Sequence, residues 1–146
     1  MKSSYLIALE GGGTRSQAAL MDFSGHILHL GESGQVNTNF VSFEEAQKAV
    51  INAITGALQA TGISGEQISD LVSALVGPRF GPELFGALIP NARYRYYTEQ
   101  DVVFARAGMY RPHGVAVVAA TGATAWGVRA DDHRRVAFGG WGALLG

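Results

Sequence analysis

The chain opens with short apolar runs separated by glycines and polar turns, a pattern typical of β-strands. The first two runs are SYLIAL (4–9) and SQAALMDF (16–23), and a tight turn at DFSGH leads into a third, HILHLGES (26–33). Short runs bounded by turn residues favour strands over helices. The sequence therefore predicts three antiparallel strands at the start of the fold.

A helix is predicted over 43–61, where apolar residues recur at the spacing of one helical face. Ser42 followed by Glu45 is a capping box, and Gly62 ends the run. Further runs predict a buried strand at 69–77, a short helix at 82–89, a strand at 92–98, a helix at 99–108, and strands at 114–120, 123–129 and 134–140. This order indicates an α/β fold: a mixed sheet that starts with three antiparallel strands and continues with alternating strands and helices.

Composition and charge narrow the class of protein. Of the 146 residues, 47% are hydrophobic and 16% are charged, which suits a well-packed core. Eleven basic residues against twelve acidic ones give a net charge of −1 without a basic stripe, so nucleic acid is not an expected partner. No membrane span or signal peptide is recognisable. The lack of cysteine excludes disulfides and thiolate zinc sites and favours a cytoplasmic protein.

Three glycines at 11–13 separate the first two predicted strands and are followed by Thr14 and Arg15. The segment lacks the Lys of a P-loop and the glycine spacing of a dinucleotide-binding turn. Glycines leave backbone N–H groups open to a phosphate, because no Cβ blocks its approach. The residues leave two interpretations open, a phosphate-binding hairpin and a plain turn. A similar turn at Thr121 and Gly122 favours the plain hairpin when taken alone.

Asp101 stands at the start of a predicted helix, directly after a strand. Ligands of parallel α/β sheets bind at the carboxyl ends of strands, and a carboxylate there can accept a proton from a substrate hydroxyl. However, Asp101 also follows Thr98 by three residues, as in a capping box. Spacing alone favours the capping role, and the catalytic role stays open.

Asn37 and Asn39 lie in the predicted loop between the third strand and the first helix. Their amide groups can hydrogen-bond sugar hydroxyls. Loop asparagines also commonly do no more than stabilise turns. The residues alone therefore leave sugar binding and turn formation as alternatives.

Four segments in a fixed order carry a family resemblance: EGGGTRS (10–16), TEQDVVFARAG (98–108), VVAATGATAWG (117–127) and GGWGALLG (139–146). Together they resemble the N-terminal lobe of the acetate and sugar kinase, Hsp70 and actin superfamily. The closer resemblance is to N-acetylglucosamine kinases and the BadF/BadG/BcrA/BcrD ATPase family. It implies a ribonuclease-H-like lobe over 1–146, followed in the complete protein by a second lobe after Gly146.

The resemblance also implies site residues, with ATP and Mg²⁺ as cofactors. Asp101 takes the position of the catalytic base, and Glu10 that of an acidic residue near the magnesium ion. Ala120 and Ala123 depart from the family's second glycine hairpin, where Gly and Ser are usual. The phosphate-binding positions are Gly12, Gly13, Thr14, Arg15, Thr121 and Gly122, and the sugar-binding positions are Asn37, Asn39, Asp101 and Trp141.

The function implied is ATP-dependent phosphorylation of N-acetylglucosamine or a related amino sugar, with these 146 residues inactive by themselves. One alternative is a BadF-type activator ATPase for a dehydratase or reductase, which needs cluster cysteines that this stretch lacks. Another is a non-catalytic, sugar-sensing kinase-like module. A small-molecule sugar and ATP are the expected partners, and homodimer formation is left open.

Overall fold

The computed structural model describes residues 4–119 and 123–140. The chain forms two compact units, Met1–Tyr97 and Thr98–Gly146. Thr121, Gly122 and Trp141, three of the predicted site residues, lie outside the described residues.

The first unit is a five-stranded sheet with a long helix on one face. Its elements are β1 (Tyr5–Gly11), β2 (Ser16–Met21), β3 (Ile27–Ser33), α1 (Phe43–Thr61), a 3-10 turn (Gly65–Gln67), β4 (Ile68–Leu75), α2 (Pro82–Phe85) and β5 (Arg93–Tyr96). The strand order is β3-β2-β1-β4-β5. β2 is antiparallel to β1 and to β3, whereas β4 is parallel to β1 and to β5.

Local signals set the ends of α1, as predicted. The Ser42 hydroxyl accepts a hydrogen bond from the Glu45 N–H at 3.2 Å, and the Glu45 carboxylate accepts one from the Ser42 N–H at 2.8 Å. Gly62, in the left-handed region with φ 67°, ends the helix. The apolar stripe of α1 then packs on the strands over a buried core that includes Ile7, Leu9, Ala18, Leu20, Val50, Ala53, Ile54, Ala57 and Leu71.

Close approach of α1 to β3 requires glycine at position 31. A Cβ on Gly31 would lie 2.0 Å from the Ala53 carbonyl oxygen and 2.8 Å from the Ala57 nitrogen, both of them helix backbone atoms. We expect Gly31→Ala to destabilise the unit by about 1–3 kcal/mol, the usual scale of overpacking. Denaturant unfolding measures this, with Gly56→Ala as the control, because a Cβ there meets nothing within 4 Å apart from the neighbouring helix backbone. Equal stability of the two variants would contradict the close approach.

The second unit contains α3 (Glu99–Arg106), β6 (Gly114–Ala119), β7 (Ala123–Val128) and β8 (Arg135–Gly139). The three strands form an antiparallel sheet of their own in the order β6-β7-β8. Phe104 of α3 packs against Ala116, Trp126 and Val128 on one face of this sheet.

The β6–β7–β8 sheet repeats the strand arrangement of β1–β2–β3. The pair Ala119–Ala123 corresponds to Gly11–Ser16, the last pair before the turn in the first unit. When the two sheets are compared in this register, the face that α1 covers in the first unit matches a face of the β6–β7–β8 sheet that is apolar and exposed. Its exposed members are Val115, Val117, Val136 and Phe138.

The predicted elements are present, and several of them, among them the strand predicted at 92–98 and the helix predicted at 99–108, end earlier than predicted. The predicted helix at 82–89 ends at Phe85, because Gly86 weakens the helix and Pro90 disfavours a helical residue before it. The predicted strand at 69–77 ends at Leu75, since Gly77 turns the chain away with φ 146°. The last three strands form a sheet of their own. The predicted strands therefore belong to two sheets and not to one.

Candidate functional site

The glycine-rich turn between β1 and β2 is a tight, exposed loop. Strand pairing ends at Gly11 and Ser16, and the Gly12 N–H donates to the Arg15 carbonyl at 3.0 Å. Residues 13–15 are exposed at its tip. The two antiparallel strands around the glycines confirm the predicted hairpin.

The loop glycines differ in what the fold requires of them. A Cβ on Gly11 would lie 2.8 Å from the Val36 side chain, so packing alone explains that glycine. A Cβ on Gly12 or Gly13 would come no closer than 4.0 Å to Val76 or 3.5 Å to Phe40, which is ordinary contact or less. Neither Gly12 nor Gly13 has a positive φ. Neither packing nor a positive φ therefore requires glycine at these two positions. The missing Cβ atoms leave the main chain open to a ligand.

Unpaired amides make the tip of the turn a suitable anion site. Within residues 4–119 and 123–140, the N–H groups of Gly13, Thr14 and Arg15 have no acceptor from the chain. The exposed Arg15 guanidinium adds a positive charge, held 3.5 Å from the Glu32 carboxylate. Successive backbone N–H groups with a cation beside them are the usual elements of a phosphate-binding loop.

The loop with the two asparagines is hydrogen-bonded to this turn. The Gly12 carbonyl accepts from the Val36 N–H at 2.9 Å and from the Asn37 N–H at 3.3 Å. The two loops that the sequence predicts for phosphate and for sugar are thus neighbours in the first unit.

The two asparagine side chains are used differently. The Asn37 side-chain oxygen accepts from the Asn39 N–H at 3.0 Å, which closes an Asx turn. The Asn37 side-chain NH₂ and the exposed Asn39 side chain have no partner among the described residues. The turn-forming interpretation of Asn37 is therefore confirmed for its oxygen, and both side chains keep donors for a ligand.

Glu10 lies at the end of β1, two residues before Gly12, with an exposed side chain. It is opposite Gln17 of β2 and Ala74 of β4. Across residues 4–119 and 123–140, no three His, Cys, Asp or Glu side chains are grouped as metal ligands. A magnesium ion that accompanies a nucleotide needs only one or two carboxylates, because phosphates and waters complete its shell. A single carboxylate at position 10 fits that requirement.

Asp101 caps α3, as its spacing from Thr98 predicts. One carboxylate oxygen, Oδ2, accepts from the Thr98 N–H at 3.0 Å and from its hydroxyl at 2.6 Å. The Thr98 hydroxyl accepts in turn from the Asp101 N–H at 3.3 Å. The other oxygen, Oδ1, accepts from Arg135 Nη2 at 2.9 Å.

These contacts set the charge state of Asp101. Burial by itself raises the pKa of this carboxyl group, but the hydrogen bonds from Thr98 and the neighbouring Arg135 guanidinium outweigh burial. The pKa of Asp101 is therefore lowered, and the side chain is ionised at neutral pH. An ionised carboxylate is the form that can accept a proton.

The sequence prediction did not include Arg135 or Phe40 at the site. Arg135 lies 34 residues after Asp101, and the contact depends on tertiary folding. Phe40 lies beside Gly13 with its ring exposed, and an aromatic residue at a loop end has no distinctive local pattern.

Comparison with known proteins shows the fold and the family of this chain. The chain is similar to the solved structure of the "Putative N-acetylglucosamine Kinase" of Chromobacterium violaceum, with TM-score 0.68 and 22% identity over 96% of this chain and 50% of that one. This similarity and the strand order of the first unit confirm the predicted ribonuclease-H-like α/β fold. Residues 9–146 match the model of one family, and the chain belongs to that family, the BadF/BadG/BcrA/BcrD ATPases.

Other solved structures share the fold at lower identity. One is the "Putative N-acetylglucosamine Kinase" of Porphyromonas gingivalis, with TM-score 0.66 and 17% identity over 90% of this chain and 46% of that one. Another is YeaZ from Pseudomonas aeruginosa, with TM-score 0.52 and 13% identity over 93% of this chain and 65% of that one. The chain spans about half the length of the two proteins named as kinases. No curated protein matches it. Within the described ranges, no helix is both long and apolar enough to cross a membrane.

Proposed function

We propose that this chain is part of an ATP-dependent kinase that phosphorylates N-acetylglucosamine or a related amino sugar. Membership of an ATPase family supports the use of ATP. The names of two structural neighbours support an amino sugar as the acceptor. The structural observation that carries the proposal is the hydrogen bonding of the asparagine loop to the glycine turn through the Gly12 carbonyl.

The glycine turn is proposed to bind the ATP phosphates. Its free N–H groups at residues 13–15 can each donate to a phosphate oxygen, and the Arg15 side chain can neutralise part of the charge. The open space at Gly12 and Gly13 lets a phosphate come close to the backbone. Thr121 and Gly122 are proposed to serve the same ligand.

The asparagine loop is proposed to bind the sugar. The side-chain NH₂ groups of Asn37 and Asn39 can donate to hydroxyl or acetamido oxygens. The Asx turn within the loop orders the Asn37 side chain before a ligand arrives, which lowers the entropy cost of binding. Trp141 is proposed to contact the same sugar.

Asp101 is proposed as the base. The sugar oxygen forms a bond to the γ-phosphorus, the bond from that phosphorus to the ADP oxygen breaks, and the hydroxyl proton moves to the Asp101 carboxylate. The lowered pKa of Asp101 keeps its carboxylate ionised, which is the form that can accept this proton. Magnesium, when bound, neutralises the developing phosphate charge, and Glu10 is the residue proposed to lie near it.

Paired asparagine variants of the full-length protein test the sugar assignment. We expect Asn39→Ala and Asn37→Ala each to raise the KM for N-acetylglucosamine about 10-fold or more, because each variant loses the side-chain NH₂ group that we propose donates to a sugar oxygen. The KM for ATP should stay near the wild-type value. The matched control is Asn91→Ala, whose amide donates to the Glu66 carbonyl and lies outside the proposed site. An unchanged sugar KM in both loop variants would contradict the assignment.

A further inference from the structure

Arg135 contacts the Asp101 carboxylate but has no role in the proposed function. We propose that Arg135 is a positioning residue that orients the Asp101 carboxylate, so that Oδ1 is the atom that accepts the proton. This inference rests on the proposed catalytic role of Asp101.

Geometry distinguishes the two carboxylate oxygens. Oδ2 accepts two hydrogen bonds from Thr98, one from its N–H and one from its hydroxyl. A carboxylate oxygen has about two lone-pair sites, so Oδ2 has none left for a substrate. Among residues 4–119 and 123–140, Oδ1 accepts one hydrogen bond, from Arg135, and keeps its second acceptor site. A sugar hydroxyl can therefore donate only to Oδ1, the oxygen that Arg135 holds.

Two independent elements fix the carboxylate. Thr98 holds it from the start of its own helix, and Arg135 holds it from the first residue of β8. Without Arg135 the side chain keeps its cap but loses its only partner on Oδ1 among the described residues. The capping function of Asp101 needs Thr98 alone, so the cap does not account for the arginine.

The electrostatic surroundings of Asp101 are simple. In the part of the chain that the structure describes, Arg135 is the charged side chain in contact with it, with 43% of the arginine side chain and 23% of the aspartate side chain exposed. Glu99 lies two residues earlier on α3. β6, which packs against α3, carries no titratable side chain. Removal of the arginine charge therefore raises the pKa of Asp101, because a neighbouring cation favours the ionised carboxylate.

The test is the pH dependence of kcat/KM for sugar phosphorylation by the full-length protein. The acidic limb of this profile reports the pKa of the base in the free enzyme. We expect Arg135→Gln to lower kcat about 10-fold and to move the acidic limb to higher pH, because loss of the cation raises the pKa of Asp101. Arg135→Lys, which keeps the charge without the planar fork, should return the limb close to its original position.

A neighbouring arginine provides the control. Arg134→Gln removes the same charge one residue away, from a side chain that makes no contact with Asp101 among the described residues. It should leave both kcat and the acidic limb unchanged. Thermal unfolding checks that each variant is folded. If Arg135→Gln is not, Arg135→Ala takes its place, with the same expected shift of the acidic limb to higher pH.

The outcomes separate this inference from the proposed function. An acidic limb that stays in place in Arg135→Gln, while Asp101→Asn is inactive, would overturn the positioning role and leave the kinase assignment intact. A wild-type protein that phosphorylates no sugar would overturn the proposed function itself.

Discussion

Replacement of Asp101 by asparagine in the full-length protein is expected to lower kcat for sugar phosphorylation by about 100-fold or more, the usual scale for loss of a general base. Asparagine keeps the size of the side chain and one oxygen that can cap the helix, but it cannot accept the proton. Stability should change little, because a cap contributes about 1 kcal/mol. Steady-state kinetics and thermal unfolding of the same preparation measure both quantities.

The control for this variant is Asp131→Asn. Asp131 is an exposed aspartate that also forms an ion pair with an arginine, Arg129 at 2.6 Å, in the turn between β7 and β8. It should keep the wild-type rate. A folded Asp101→Asn protein with a near-normal rate would remove this residue from the mechanism and leave it as a helix cap.

A methyl group at the tip of the glycine turn is expected to weaken ATP binding strongly. Gly13→Ala places a Cβ where we propose that phosphate oxygens approach the N–H groups of residues 13–15. We expect the Kd for ATP to rise about 10-fold or more, which corresponds to about 1.4 kcal/mol. The fold should tolerate the change, because the Cβ lies 3.5 Å from Phe40 and the backbone has no positive φ. Calorimetric titration of the full-length protein measures the Kd.

Gly56→Ala is the matched control for this substitution. It adds the same methyl group within α1, where a Cβ meets nothing within 4 Å apart from the neighbouring helix backbone, and it should leave the Kd unchanged. If Gly13→Ala binds ATP as tightly as Gly56→Ala does, the turn is a plain hairpin.

Elements with local signals were predicted well from the sequence. The limits of α1 match the prediction of 43–61, because Ser42, Glu45 and Gly62 act through backbone contacts within a few residues. The strand order could not be predicted in this way. The parallel pairing of β1 with β4 joins residues about 60 positions apart, with Leu9 opposite Ser73, and no local pattern specifies such a pair.

The candidate site shows the same division between local and distant contacts. The capping box of Thr98 and Asp101 follows from a spacing of three residues and is present as predicted. The contact of Asp101 with Arg135, and that of Gly12 with the Asn37 loop, join distant parts of the chain. The family resemblance implied phosphate binding for Gly12 and sugar binding for Asn37, whereas it implied no role for Arg135.

Direct detection of the phosphorylated product tests whether this chain is part of a sugar kinase. The full-length protein would be incubated with ATP, Mg²⁺ and N-acetylglucosamine, and the phosphorus species followed by ³¹P NMR. We expect a sugar phosphate ester that appears in equal amount with ADP, and neither product should accumulate at that rate in Asp101→Asn. Release of inorganic phosphate from ATP without any sugar ester, at a rate that amino sugars do not change, would contradict it.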